Sequence, residues 1–288
     1  ENQVKSVSLI RKEKEMKSMK KIKKCMAVVL CSALLLTPVY SETAVQAAPA
    51  KSTTASSEIP QNGWYKLKNG QKKYFKDGKY LVGRQKIGKT VYFFNKNGIM
   101  QKKNTTYQKV TYYIEKNGRV LGWKKGKTYY DANGKRLNKD ETNEFRASQN
   151  ARKIVAKITN SKMSKSQKLK VCFDWVMSKY YHTWRRFDQG GKAWYAVNAN
   201  DHFERGRGNC VADASAFAYL AKVLGYEKVY VCADGKRSNR NAHAWAEING
   251  RVYDPLFAQA KSYSKNYGVS YKTYGLSRVY RVKIPWKY

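Results

Sequence analysis

The chain has 288 residues and a net charge of +38, from 58 Lys and Arg against 20 Asp and Glu. A field of that sign attracts polyanions and speaks to partners and solubility rather than to fold. No group of His, Cys and carboxylate residues has metal-ligand spacing and no glycine-rich loop suits a phosphate, so no metal, nucleotide or other cofactor is expected.

Residues 1–47 read as an upstream extension plus a secretory signal peptide. Synthesis is expected to start at Met16 or Met19, with Glu1–Glu15 as translated upstream sequence; the plain alternative is a basic extension. Lys20, Lys21, Lys23 and Lys24 form a charged start, and Met26–Leu36 is an apolar run of 11 residues, too short to cross a bilayer. Val45-Gln46-Ala47 fits a cleavage site, and no later stretch could span a membrane. The cleaved chain would be secreted with a charge of about +33. A secreted basic protein meets teichoic acids and other anionic surfaces before nucleic acid, so nucleic acid is not expected as a partner.

Residues 48–60 form a Ser/Thr/Ala linker, and residues 61–138 repeat. Aromatic pairs Tyr74-Phe75, Phe93-Phe94, Tyr112-Tyr113 and Tyr129-Tyr130 precede Asp77-Gly78, Asn97-Gly98, Asn117-Gly118 and Asn133-Gly134. That pattern predicts stacked β-hairpins turning at the Asx-Gly pairs. It resembles the cell-wall-binding repeats of Gram-positive surface proteins, some of which bind choline in a Trp-rich cage. Only Trp64 and Trp123 are available here, which argues against such a cage. Trp64, Tyr112, Tyr129 and Trp123 suit stacking on sugar rings, or they pack neighbouring hairpins. The repeats hold 20 basic residues against three acidic, a net +17, so the expected ligand is a wall polymer, teichoic acid or glycan.

Residues 139–288 suffice for one domain core. Ser164 and Gln167 form a capping box for a helix running to about Tyr181, apolar on most sides and so buried. Cys210–Leu224 is an Ala-, Leu- and Val-rich helix with Asn209 as N-cap and Gly225 at its end. Cys210 would sit in the first turn, where free N–H groups and the helix dipole favour an anionic sulfur and could hold an oxyanion. Asn249-Gly250 predicts a two-residue hairpin pairing Ile248 with Arg251 and Glu247 with Val252. His243 and Asp254 then share a face one diagonal step apart, roughly 7–8 Å between backbones. Thiol, imidazole and carboxylate are the parts of an activated cysteine nucleophile.

Each of these residues also has a bland reading. A cysteine in an apolar helix is commonly core, a strand histidine commonly structural, and Asp-Pro commonly a turn. His182 reads as a surface residue, His202 as a loop residue and Glu247 as cross-strand support. Cys172 and Cys232 could pair, or stay buried and reduced; buried thiols are favoured.

The order Gly208-Asn209-Cys210, His243-Ala244-Trp245-Ala246-Glu247 and Val252-Tyr253-Asp254-Pro255 resembles the transglutaminase-like superfamily over roughly Leu169–Phe257. The resemblance implies an α+β fold: a papain-like core with the nucleophile helix packed on an antiparallel sheet, here preceded by the β-hairpin repeat array. It implies Cys210 as nucleophile, His243 as base and Asp254 as the residue that orients it. In animal cross-linking members an upstream Trp indole completes the oxyanion hole; Trp175 is the candidate here, with Tyr181 beside it, and core packing is the bland reading of Trp175. The expected substrate is a protein or peptide, cleaved at an amide through a thioester. The alternatives are a cross-linking transglutaminase and, from another class, a non-catalytic adhesin or wall-binding protein.

Overall fold

The computed structural model describes residues 59–288. The expected signal peptide and nearly all of the expected linker lie outside these residues.

Residues 63–131 form nine short strands in three antiparallel sheets. These are β1 (Gly63–Lys66), β2 (Lys72–Lys76) and β3 (Lys79–Tyr80); β4 (Gly83–Ile87) and β5 (Thr90–Phe94); and β6 (Thr105–Tyr107), β7 (Val110–Ile114), β8 (Val120–Lys125) and β9 (Thr128–Asp131). Asp77-Gly78 makes a tight turn as expected, with φ of 51° and 72°. The other tight turns differ from expectation. They fall at Gly88-Lys89, Gln108-Lys109 and Gly126-Lys127, between the register pairs Ile87–Thr90, Tyr107–Val110 and Lys125–Thr128. The pairs Asn97-Gly98, Asn117-Gly118 and Asn133-Gly134 sit instead in wider connections. There a preceding side chain, such as Asn95 Oδ1, accepts from the backbone N–H of Asn97 and Ile99. A local Asx turn thus uses the Asn-Gly signal without closing a two-residue hairpin.

Aromatic contacts join successive hairpins. Trp64 meets Tyr92 edge-on at 5.0 Å and Tyr112 stacks on Phe93 at 4.3 Å, while within the last hairpin Trp123 stacks on its cross-strand partner Tyr130 at 3.8 Å. The last strands then pack on helix α1 (Lys139–Ile158) through Leu121, Leu137 and Phe145, with Tyr113, Tyr129 and Tyr288 around them. Gly122 permits this approach: a Cβ there would lie 2.4 Å from the Tyr130 carbonyl oxygen and 2.8 Å from the Phe145 ring.

α1 starts at a capping box of Asn138 and Glu141, and α2 (Lys165–Met177) at the expected box of Ser164 and Gln167. α2 stops four residues earlier than expected. Tyr180–Tyr181 leaves as strand β10, paired in parallel with β11 (Arg207–Gly208), so a tertiary backbone ladder replaces the last helical turn. α2 buries one side, Leu169, Cys172, Phe173 and Val176, and leaves Lys165, Ser166, Gln167 and Lys170 exposed, so it is less enclosed than its composition suggested. α3 (Trp194–Arg205) was not anticipated.

α4 (Cys210–Val223) is the central helix. Asn209 Oδ1 accepts from the Ala212 N–H at 3.1 Å, and Gly225 continues past the end at φ 79°. Its alanines are almost wholly buried, which lets it lie close on a five-stranded antiparallel sheet. The strands are β12 (Val229–Ala233), β13 (Ala244–Ile248), β14 (Arg251–Tyr253), β15 (Tyr267–Val269) and β16 (Tyr280–Lys283), in the order β15-β14-β13-β12-β16. Period-two alternation splits the sheet's faces. Ala244, Ala246, Ile248, Val229 and Val231 belong to the core around α4; Cys232, Trp245 and Val252 pack with Tyr274 in a separate cluster. A short helix, α5 (Pro255–Ala260), follows β14. Among the described residues no helix is long and apolar enough to cross a membrane.

Candidate active site

Asn249 and Gly250, at φ 50° and 79°, form the two-residue turn, and the register is the expected one: Ile248 opposite Arg251 and Glu247 opposite Val252. His243 and Asp254 both lie one residue beyond their strands, where alternation no longer dictates direction. Backbone anchors fix them instead. The His243 N–H donates to Asp234 Oδ1 at 2.7 Å, and the Asp254 N–H donates to the Asn266 carbonyl at 2.9 Å.

The side chains converge. His243 Nε2 lies 2.6 Å from Asp254 Oδ2, which leaves Nδ1 as the ring's other nitrogen, and the Cys210 side chain is near enough to act on the ring's charge. Burial lowers the His243 pKa, but the interactions with Asp254 and Cys210 outweigh it and raise the ring to about 9. Neutral pH therefore favours the imidazolium. Phe257 stacks on the ring at 3.8 Å and 14°, restricting its rotation.

Asp254 is fully buried and fully partnered. Its Oδ2 also accepts from the Tyr274 hydroxyl at 2.7 Å, and its Oδ1 accepts from the Phe257 N–H at 3.0 Å. The second bond makes Asp254 the N-cap of α5. Cys210 is the first residue of α4 and is partly exposed, so its own N–H has no partner inside the helix.

Beneath this site lies a buried pair that the sequence did not reveal. His202, read from sequence as a loop residue, is in α3 with its side chain fully buried. Its Nδ1 is 2.9 Å from Asp213 Oδ1 but out of line for a hydrogen bond. Burial raises the Asp213 carboxyl, His202 opposes that shift, and the Asp254 charge adds to it. Gly208 fits between them: a Cβ would lie 2.6 Å from Asp213 Oδ1 and 2.8 Å from His202 Nδ1. Tyr274 and Phe257 were missed as well. The only local cue was the position of Phe257 three residues after a capping Asp.

The other candidates make the following contacts. Trp175 packs edge-on to His202 at 5.6 Å and lies under Lys179 at 4.5 Å. Tyr181 is 63% exposed, and its backbone pairs with Gly208, two residues before Cys210. His182 stacks on Trp184. Glu247 is a buried anion held by Arg278, Arg281 and the Tyr271 hydroxyl. Cys172 and Cys232 are buried free thiols, each pushed by burial to about 12. In the repeats Trp64 stays 41% exposed, whereas Tyr129 packs with Tyr113 and Phe145. Among the described residues no His, Cys and carboxylate cluster could hold a metal.

Residues 152–259 match the sequence model of the transglutaminase-like superfamily, whose members are typically cysteine-based enzymes, so the chain carries a transglutaminase-like domain. A curated relative, glucosyltransferase-I of Streptococcus downei, is 42% identical over 79 residues, 25% of this chain and 5% of the relative's length. Among solved structures, the choline-binding domain of a Streptococcus pneumoniae protein is 25% identical over 21% of this chain and 94% of that one, with a TM-score of 0.20. Choline binding protein F of Streptococcus pneumoniae, solved with a peptidoglycan analogue, is 24% identical over 27% of this chain and 28% of that one, with a TM-score of 0.22.

Proposed function

We propose that this chain is a secreted, wall-associated cysteine enzyme that cleaves an amide or peptide bond through a thioester. One observation carries this reading. Cys210, at the start of a buried helix, contacts an imidazole whose far nitrogen lies 2.6 Å from a buried carboxylate.

In the first step the Cys210 thiolate attacks the amide carbonyl carbon, forming a C–S bond while the carbonyl electrons move to oxygen. The Cys210 N–H, free of an intrahelical partner, is the donor proposed for that oxyanion. The tetrahedral species collapses, the C–N bond breaks, and His243 gives its proton to the departing amine. This leaves a thioester and neutral His243. Water then attacks the thioester while His243 takes its proton, the C–S bond breaks, and acid, thiolate and imidazolium result. Asp254 holds the ring's orientation and supports its charge throughout. An amine in place of water gives cross-linking, and hydrolysis is favoured because water is the abundant nucleophile around a secreted enzyme. The +17 of the repeats and the exposed Trp64 support retention at an anionic or glycan wall polymer.

The test is activity on wall peptides, with and without added amines, for the wild type and Cys210→Ser. Turnover by the variant within about tenfold of wild type excludes Cys210 as nucleophile. Amine incorporation exceeding hydrolysis would replace the hydrolase reading with transfer. Among the cysteines of the described residues, an iodoacetamide-type reagent should label Cys210 alone, since Cys172 and Cys232 are buried.

A further inference from the structure

A cavity of about 370 Å³ opens where the last repeat meets α1 and α3. That volume is within the range of small-ligand sites, roughly 300–1,000 Å³. One side is the tyrosine pair Tyr113 and Tyr129, with ring centroids 6.4 Å apart and planes at 22°. Phe145 supports both rings from the core, at 5.1 and 5.8 Å. The other side is polar and largely neutral. Arg146 donates to both oxygens of Glu204, at 2.6 and 2.7 Å, so these two charges cancel within the wall. Lys153 is the one lining charge left without an ion-pair partner among the described residues. Lys124 lies over the Tyr129 ring at 5.3 Å but does not line the cavity.

The amides are set in fixed orientations. Asn150 Nδ2 donates to Asn200 Oδ1 and Glu204 Oε1, both at 3.0 Å, which leaves Asn150 Oδ1 as an acceptor. Gln149 Nε2 donates to Ser148 Oγ at 3.1 Å, leaving Gln149 Oε1. On the repeat side Asn104 Oδ1 is taken by the Ile114 N–H at 2.8 Å, leaving its NH₂ as a donor. Aromatic surface faced by neutral donors and acceptors matches a sugar ring, with an apolar C–H face and hydroxyls that each donate and accept. A polyanion would find only one unpaired cation here.

We infer that this cavity binds a short uncharged oligosaccharide. The inference is independent of the cysteine chemistry and of charge-driven wall retention, because its residues serve neither. The test is saturation-transfer NMR on the full chain with isomaltotriose and with tri-N-acetylchitotriose, each titrated to about 20 mM, the weak-binding range. Glycerol 3-phosphate serves as the anionic comparison. The expected result is saturable binding of at least one trisaccharide, weakened about tenfold by Gln149→Ala and by Asn150→Ala, the loss of one hydrogen bond each. Trp64→Ala should leave it unchanged, and circular dichroism should show all three variants folded. No saturable binding of either sugar overturns the inference. So does binding that survives both helix variants but is lost in Trp64→Ala, which would move the ligand to the hairpins. Tighter binding of glycerol 3-phosphate than of either sugar overturns the uncharged class.

Discussion

Asp254 caps the helix that carries Phe257, and Phe257 in turn covers the imidazole that Asp254 binds. The carboxylate accepts the Phe257 N–H at 3.0 Å while the Phe257 ring lies 3.8 Å from that of His243. One carboxylate thus sets both the charge partner and the lid of His243.

Asp254→Asn and Asp254→Ala should therefore part company. Asn keeps the cap and the shape but loses the charge, so turnover should fall about 100-fold or more, and the stability lost at neutral pH should be the part linked to the protonated His243 ring. Ala removes the cap and strands the buried Tyr274 hydroxyl, costing about 2–4 kcal/mol of stability in addition. Near-normal turnover per folded Asp254→Asn molecule would remove Asp254 from the mechanism.

Stability should depend on pH through His243. Its folded pKa, about 9, stands above its ordinary 6.5, so folding is linked to holding the proton. The contribution is fully present below pH 6.5 and is lost as pH rises through about 9; it amounts to about 3 kcal/mol. Urea midpoints over roughly pH 6 to 10 should decline across that window for the wild type and stay flatter for His243→Gln. Parallel profiles for the two proteins would contradict the protonated ring.

Gly208→Ala should disturb the approach to Cys210. The added methyl meets Asp213 Oδ1 at 2.6 Å, His202 Nδ1 at 2.8 Å and the Ala212 Cβ at 2.9 Å, all in packed surroundings. A loss of about 1–3 kcal/mol is expected, with turnover per folded molecule reduced as well. Thermal melts and active-site titration measure the two separately.

Retention on isolated Gram-positive walls should weaken with salt if the repeat charge dominates, because exposed charges are screened within about 10 Å at 0.1 M salt. Cosedimentation of the Cys210→Ala chain across a salt series reads this directly. Retention that ignores salt but falls in Trp64→Ala would assign the contact to the exposed indole instead.

The parts of the site legible in the sequence were the short-range ones. Asn209 as N-cap, Gly225 past the end of the helix, and the Asn249-Gly250 turn with its register all depend on residues within a few positions. The rest depended on distant partners. Tyr274 reaches Asp254 from 20 residues on, and β16 pairs with β12 from about 50 residues on. β10 takes its shape from Gly208, so its departure from helix had no local signal. In the repeats the Asn-Gly signals were claimed by Asn95-type side chains, and the tight turns other than Asp77-Gly78 went to Gly-Lys and Gln-Lys pairs with weaker signatures.

The seating of Phe145 among Leu121, Leu137, Tyr113, Tyr129 and Tyr288 has a mechanical consequence. With no slack chain between the last hairpin and α1, the repeats act as a bracket rather than a tether. Under the proposed function, wherever the repeats attach, Cys210 would be held at a set distance and angle from the attachment point, and the choice among chemically equal bonds would fall to geometry. On the proposed function, inserting a flexible Gly-Ser segment after Asn138 should release that constraint and broaden the zone of cleavage around each anchored molecule.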